Sequence, residues 1–288
     1  MLHCTAVALF GFSWGREWKC GVCGVRPWCR CESRRVAQRV SAKVLEPVVA
    51  LAVAAIEAPG PCTTHALQVL VNLVDADAAL GSARVQEYLC GNVHACTVLR
   101  QYLEACGRPR TARRADWYPE DALALLCSLM HVNPAAQAAL HTAHGMLQPV
   151  LCLVGRMTNR SSACRNDRRA VALCALRLMV WDHAAAQQAA VELGAVDALR
   201  GVVGESPYFE PEYNQLQALL VLQRLARGRT AAVATPDLVG DLKKVVSGGG
   251  GHAGHQDWSK KVKANARALL AVVAPGDAGK RGVKRAHE

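Results

Sequence analysis

The stretch Ala66-Leu67-Gln68-Val69-Leu70-Val71-Asn72-Leu73 decides the fold of this 288-residue chain. It places an alanine, a leucine four residues later and a large apolar residue three residues after that on one face of an α-helix. The same phrase occurs five times, as Ala66, Leu70 and Leu73; Ala122, Leu126 and Leu129; Ala172, Leu176 and Met179; Ala218, Leu222 and Leu225; and Ala266, Leu270 and Val273. Successive copies begin 56, 50, 46 and 48 residues apart. A helical phrase that returns at such intervals indicates an array of helical repeats.

A second apolar phrase precedes each copy of the first, most clearly at residues 45–51 and 147–153, and also at 98–103, 198–203 and 241–246. Four of these are themselves preceded by short helical stretches, at residues 79–89, 135–143, 184–193 and 229–234. A glycine or proline then interrupts the chain, at Gly91, Gly145, Gly194 and Pro236. Glycine ends helices and proline begins them. We therefore predict units of a short helix, a sharp turn, a second helix, a loop and a longer third helix.

Together, the turn Glu192-Leu193-Gly194-Ala195-Val196-Asp197 and the phrase at residues 66–73 resemble the armadillo repeat. The resemblance covers residues 44–274, as four complete units and a leading partial unit without its first helix; HEAT-type arrays share much of this pattern. It implies an all-α fold, a right-handed α-solenoid of about five armadillo-like repeats. We expect three regions: a disordered or Cys/Arg-rich leader (1–35), the solenoid (36–274) and a disordered basic tail (275–288).

In armadillo proteins the third helices line a concave groove in which an extended partner lies. Importin-alpha-like members carry a Trp and an Asn one turn apart on each of these helices. Here the Asn position holds Asn72, Ser128, Leu178, Arg224 and Val272, and the Trp position holds Gln68, Ala124, Cys174, Leu220 and Ala268. The repeated Trp and Asn of those proteins, called a ladder, are therefore missing here, which disfavours a nuclear-import receptor. As groove-facing polar residues we expect Gln68, Asn72, Ser128, Arg224 and Arg227.

The net charge of +11 is concentrated in the tails and in two loops, residues 106–118 and 156–169. Both loops precede a third helix, and equivalent loops of a solenoid project from the same edge. The arginines could form an anion-binding rim for RNA, an acidic peptide or a phosphorylated partner. Flexible, solvated loops are the alternative, and Glu205, Glu210 and Glu212 change the sign of the next equivalent loop. The candidate rim residues are Arg108, Arg110, Arg113, Arg114, Arg160, Arg165, Arg168 and Arg169.

The thirteen cysteines are an odd number without regular spacing, which favours a reducing compartment. Those from Cys62 to Cys174 stand singly, mostly in apolar helical stretches, where a cysteine behaves as a small buried hydrophobe. Cys20, Cys23, Cys29 and Cys31 lie within twelve residues and could hold one zinc ion. An unstructured leader that binds no cofactor is the alternative.

Motifs of catalysis are missing: the chain has no phosphate loop, no Gly-x-Ser-x-Gly and no His-Glu-x-x-His. We therefore expect no enzyme, no catalytic residues and no small-molecule substrate. No run of roughly twenty apolar residues appears, so we expect no membrane partner. The arginines of the leader leave a transit peptide as an alternative to disorder.

We predict a non-enzymatic scaffold or adaptor that binds a protein partner along the concave groove. Two other classes remain. One is a nucleic-acid-binding solenoid that uses the Arg-rich loops; the other resembles the armadillo-type nucleotide-exchange cofactors of heat-shock chaperones. We expect a cytoplasmic location, with the nucleus as the alternative because residues 279–285 form a small basic cluster.

Overall fold

The computed structural model describes residues 42–58, 60, 62–79, 83–108, 119–156, 164–205, 212–248 and 259–275. Within these ranges the chain forms thirteen α-helices and no β-strand, which confirms the predicted all-α class. The helices are α1 (Ala42–Glu57), α2 (Thr63–Ala79), α3 (Arg84–Gly91), α4 (Val93–Cys106), α5 (Pro119–Met130), α6 (Pro134–Thr142), α7 (Leu147–Arg156), α8 (Cys164–Val180), α9 (Ala184–Glu192), α10 (Ala195–Gly204), α11 (Glu212–Val233), α12 (Pro236–Ser247) and α13 (Lys260–Val273).

Each copy of the Ala-Leu phrase lies on a helix of its own, on α2, α5, α8, α11 and α13. All positions of the phrase are buried except Leu270, which is half-buried. Full burial of one leucine side chain contributes about 1.5–3 kcal/mol to the free energy of unfolding. The phrase is therefore a core pattern, as its helical spacing predicts.

Two of the predicted short helices differ from expectation. The stretch predicted at residues 79–89 begins only at Arg84, because α2 continues through Ala79. The stretch predicted at 229–234 is joined to α11 across a kink at Arg229, where φ is −150° and ψ is 44°. The other two correspond to α6 and α9, and the second apolar phrases lie on α1, α4, α7, α10 and α12.

The described residues form two compact units, and the first contains those of 42–102 and 119–136. In this unit α2 packs against α1 and α5, and α3 contacts both α2 and α5. Gln86 of α3 is 3% exposed and donates hydrogen bonds to the carbonyl oxygens of Ser128 (2.8 Å) and His131 (3.2 Å). Its own Oε1 accepts from Asn133 Nδ2 at 3.1 Å. Gln86 therefore ties α3 to the turn that follows α5.

The second unit contains the described residues of 103–108 and 137–275. Here the phrase helices α8, α11 and α13 pack side by side in chain order, and α7, α10 and α12 cover them. Side chains cap the helix starts: His183 accepts from Ala186 N (3.0 Å), Thr235 from Leu238 N (3.3 Å) and Ser259 from Val262 N (3.2 Å). These caps satisfy N–H groups that have no partner within the helix.

One turn recurs in detail after an interval of 50 residues. Val132 and Asp182 both adopt left-handed backbone, with φ of 53° and 50°. The next residues, Asn133 and His183, each accept a hydrogen bond of 3.0 Å from the backbone N–H three residues later. The copies of the phrase on α5 and α8 are also 50 residues apart, so helix and turn recur together.

The predicted leader, residues 1–35, lies outside the described ranges, and so does the tail beyond Pro275. None of the helices in the described part of the chain combines the length and the apolar character needed to cross a bilayer.

Candidate partner-binding face

The two positions at which the Trp and Asn ladder would stand are open to water on every phrase helix. On α2, α5, α8 and α11 both positions are half-buried, and on α13 both are exposed. The neighbouring phrase positions of the first four helices are buried, so each helix has a buried side and a side that water reaches. We call this second side, defined by the ten ladder positions and the residues one turn from them, the third-helix face.

In the first unit, the third-helix face contains three of the predicted groove residues. Gln68 and Asn72 lie one turn apart on α2, and Ser128 lies on the adjacent helix α5. All three are half-buried. The Ser128 carbonyl oxygen is engaged by Gln86, but the three side chains form no hydrogen bonds with one another within the described ranges. They are three separate polar groups on neighbouring helices.

In the second unit, Arg224 belongs to a compact cluster that we call the Trp181 cluster, formed by Trp181, Asp182 and Arg224. The Arg224 Cζ atom lies 3.6 Å from the centroid of the Trp181 ring. Its Nη1 donates to Asp182 Oδ1 at 2.9 Å. The Arg224 side chain is 17% exposed, whereas that of Asp182 is 70% exposed. The cluster therefore holds a planar cation in place at the surface.

The local sequence explains how Trp181 and Asp182 reach this position. Helix α8 ends at Val180, and the chain must reverse before His183 caps α9. Asp182 takes the left-handed conformation of the turn, which aspartate tolerates better than most residues. Trp181 remains 40% exposed beside Arg224 of α11. Sequence reasoning selected Arg224 and missed its two partners, although Trp181 is the single tryptophan between residues 118 and 257.

The rest of this face is apolar, with further basic groups. Cys174 Sγ lies 3.3 Å from Tyr213 Oη, and the Tyr213 side chain is half exposed. Leu178 and Leu220, at the ladder positions between, are half-buried. Basic side chains lie one turn from the ladder positions on two helices, Arg177 on α8 and Arg227 on α11, and Lys261 lies two turns before Ala268 on α13. Arg227, the last predicted groove residue, is exposed.

The structure changes the interpretation of one rim arginine. Arg169 is 2% exposed, and its Nη1 lies 3.1 Å from Glu205 Oε2. The backbone carbonyl of Glu205 also accepts from Gln215 Nε2 at 2.8 Å. The prediction that Arg169 faces solvent to bind anions is wrong, because Glu205 neutralises it inside the protein.

The other rim residues are only partly covered by the structure. Arg108 is exposed at the end of a described range. Arg165 and Arg168 belong to the first turns of α8. Arg110, Arg113, Arg114 and Arg160 lie outside the described residues. The rim therefore stays a prediction for these residues.

Metal-ligating groups do not converge in the described ranges, where no three His, Cys, Asp or Glu side chains could hold an ion. The predicted zinc ligands Cys20, Cys23, Cys29 and Cys31 lie outside those ranges. Burial raises the pKa of the Cys90 thiol to about 11 and, with the charge of Cys90 adding to it, the pKa of Cys96 to about 12. Both are therefore protonated at neutral pH, which makes them poor nucleophiles and poor metal ligands.

Comparison of the chain with models of known protein families, with curated proteins and with solved structures returns no match. The assignment to the armadillo family therefore stays a prediction, which depends on the repeated phrase and on the turn at residues 192–197.

Proposed function

We propose that this protein is an armadillo-like, right-handed α-solenoid of about five repeats that serves as a non-enzymatic interaction scaffold or adaptor. Its partner is a protein segment that lies along the concave groove formed by the third helices, α2, α5, α8, α11 and α13. The solenoid buries its phrase residues between repeats and leaves the ladder positions for the partner.

One observation supports this proposal above the others: the ladder positions of all five phrase helices remain open to water, while nearly every phrase residue is buried. In addition, α2 packs against α5 in the first unit, and α8, α11 and α13 pack in order in the second. Within each unit, neighbouring helices therefore present corresponding positions at regular intervals. Such a series suits an extended segment that is contacted by one repeat after another.

The mechanism is presentation of a preformed surface. The helices are fixed by their buried leucines before the partner arrives, so binding costs little ordering of the scaffold. Half-buried groups such as Asn72 and Arg224 can exchange water for hydrogen bonds to the partner. Their surroundings are partly desolvated already, which strengthens such bonds.

An affinity capture from cell extract, run with and without nuclease, tests the proposal. Two variants alter the face, Asn72→Ala in the first unit and Leu178→Ser in the second. Arg200→Gln is the matched control, because Arg200 lies on α10 and pairs with Asp237 of α12, and neither helix carries a ladder position. We expect a nuclease-resistant protein partner that the control retains and that at least one face variant loses.

Other outcomes would replace the proposal. If both face variants retain every partner, the groove mechanism is wrong. If nuclease removes all captured material, nucleic-acid binding takes its place, with an affinity that falls steeply with salt. If a heat-shock chaperone is captured and the chain accelerates its nucleotide release, the exchange-cofactor alternative takes its place.

A further inference from the structure

We infer that the part of the third-helix face on α8, α11 and α13 binds an acidic protein segment, with Arg224 as the carboxylate-binding residue and Asp182 as a built-in competitor. This inference rests on the proposed function and specifies the chemistry of the partner. It follows from three properties of the second unit: how Arg224 is held, how weakly Asp182 holds it, and how charge is distributed among the helices.

Arg224 is held in position before any partner binds. Its guanidinium stacks on Trp181 with 3.6 Å between Cζ and the ring centroid, and the side chain is only 17% exposed. A free arginine side chain loses rotamer freedom when it is ordered, and this one is already ordered. Its planar fork presents five N–H donors and matches the two oxygens of a carboxylate.

The Arg224 guanidinium already binds one carboxylate, that of Asp182, and this interaction is weak. The contact joins a single pair of atoms, Arg224 Nη1 and Asp182 Oδ1, and leaves a two-point carboxylate contact unformed. The Asp182 side chain is 70% exposed, so water screens the attraction. Ion pairs at this exposure contribute little to stability. A carboxylate of a bound segment can therefore displace Asp182 or join it at the fork.

Charge is distributed unevenly over the helices of this unit. The described side chains of α8, α11 and α13 include one acid, Glu212 at the start of α11. The basic groups near the ladder positions are Arg177, Arg224, Arg227 and Lys261. Four of the eight acids with described side chains in this unit, Glu192, Asp197, Asp237 and Asp241, belong to α9, α10 and α12. The face therefore attracts negative charge, whereas α9, α10 and α12 balance their four acids against three basic residues, Arg200, Lys243 and Lys244.

The spacing of these charges favours a protein segment over nucleic acid. Leu178 and Leu220 lie among the basic groups, and Tyr213 and Trp181 are exposed beside them. A protein segment with separate carboxylates and large apolar side chains satisfies both kinds of contact. A nucleic-acid backbone would bring a phosphate at every step, including beside Asp182 and Glu212, where like charges repel.

Fluorescence anisotropy with the full chain at low salt tests the inference. The probe is a labelled synthetic peptide of about twelve residues that alternates Glu, Leu and Ser, and its partner probe has Gln in place of every Glu. We expect the acidic peptide to bind measurably tighter than the Gln peptide. Arg224→Gln should weaken binding of the acidic peptide about tenfold, because a charge-assisted hydrogen bond is lost.

Asp182→Asn gives the sharper result, because it should tighten binding, by about two- to fivefold, as the competing charge is removed. Because misfolding would not discriminate between the Glu and Gln peptides, a gain confined to the acidic peptide identifies the removed charge as its cause. Asparagine also tolerates the left-handed backbone of position 182, so the turn should keep its shape. The matched controls are Arg200→Gln and Asp237→Asn, an ion pair on α10 and α12, which should leave the affinity unchanged.

Three results would overturn the inference: equal affinity for the Glu and Gln peptides, an affinity unchanged or lowered by Asp182→Asn, or single-stranded RNA that binds tighter than the peptide and depends on Arg224. The failure can be separated from a failure of the proposed function. If Asn72→Ala or Leu178→Ser abolishes partner capture while the peptide result fails, the scaffold stands and only the acidic chemistry falls. If the peptide result fails and neither face variant changes partner capture, the scaffold proposal and the inference of an acidic segment are both wrong.

Discussion

Among the described residues, Val132 has the backbone conformation that suits its side chain least. It is a β-branched residue at φ of 53°, and 86% of it is exposed. In the left-handed region the Cβ atom crowds the following carbonyl oxygen, and only Gly, Asn and Asp adopt it routinely. The corresponding position 50 residues later holds Asp182, which fits this conformation better. The backbone at Val132 is therefore strained, and because the side chain is exposed, packing does not offset this strain.

Val132→Asn should raise the free energy of unfolding by about 1 kcal/mol, because the strain is relieved and little apolar contact is lost. Urea denaturation followed by circular dichroism measures the change. Val272→Asn is the control, since Val272 is also exposed but lies in regular helix α13. There asparagine should be neutral or slightly destabilising. A midpoint unchanged or lowered by Val132→Asn would show that the turn is unstrained.

His141 and His183 face each other edge to face, with 5.4 Å between ring centroids. Burial, and after it the charge of His183, lowers the pKa of His141 below its ordinary value of 6.5. The folded protein therefore binds fewer protons here than the unfolded chain. This contribution to stability is fully present above pH 6.5 and is lost as the pH falls through the folded pKa.

We therefore expect the wild-type chain to lose stability as the pH falls from 7 to 5, and His141→Asn to lose less. Thermal melts at a series of pH values measure the difference between the two slopes. His131→Asn is the comparison variant, since His131 is exposed in a turn of the other unit. If His141→Asn and wild type show parallel pH profiles, the histidine pair does not contribute to the pH dependence of stability.

The sequence predicts single residues well where local spacing determines their environment, and poorly where two distant segments meet. The helical period identified Leu126, Leu176 and Leu222 as core residues. It could not find the stacking of Trp181 on Arg224, which depends on how α8 packs against α11. Nor could it find the buried Arg169–Glu205 pair, whose partners are 36 residues apart.

At the scale of the helix, the recurring turn before α6 and α9 shows how one boundary is built in two ways. In the first copy the capping residue Asn133 precedes Pro134, and in the second His183 precedes Ala184. Proline suits the first position of a helix, where the N–H has no partner within the helix. His183 has extended backbone, with φ of −121° and ψ of 93°, which is close to what a following proline requires.

Ala184→Pro should therefore leave the fold intact and raise the free energy of unfolding by about 0.4–1 kcal/mol, since proline restricts the unfolded chain. Ala184 is exposed, so the ring has room. Gln188→Pro, in the middle of the same helix, is the contrasting variant and should cost about 3 kcal/mol or more. Urea midpoints of the two variants give the comparison. Equal destabilisation by both prolines would mean that α9 begins elsewhere.

Helix positions were predictable from the sequence, and helix ends were less so. All five phrase helices lie where the pattern placed them, because a period near 3.6 residues is repeated over several turns. The break between α11 and residues 229–234 is only a kink, as the backbone departs from helical angles at one residue, Arg229. The Thr230 hydroxyl donates to the Ala226 carbonyl oxygen at 2.9 Å across it. A break of one residue is too local for an apolar period to reveal.

At the scale of the whole chain, burial of the phrase decreases at its C-terminal copy. Helix α11 packs between α8 and α13, and its Leu222 is fully buried. Helix α13 is the last phrase helix, and its main neighbours among the described helices are α11 and α12. Its Leu270 is half-buried, and its ladder residues Ala268 and Val272 are exposed. These two copies of the phrase therefore lie in different environments, because α11 packs against a phrase helix on each side and α13 against one among the described helices.

The same substitution in these two copies should therefore have unequal effects. Leu222→Ala removes a fully buried side chain between two helices and should lower the free energy of unfolding by about 2–5 kcal/mol. Leu270→Ala, at the equivalent position of α13, should lower it by no more than about 1.5 kcal/mol, since water already reaches that side chain. Urea denaturation followed by circular dichroism reports both variants. Equal losses would mean that a segment outside the described residues covers Leu270 in solution.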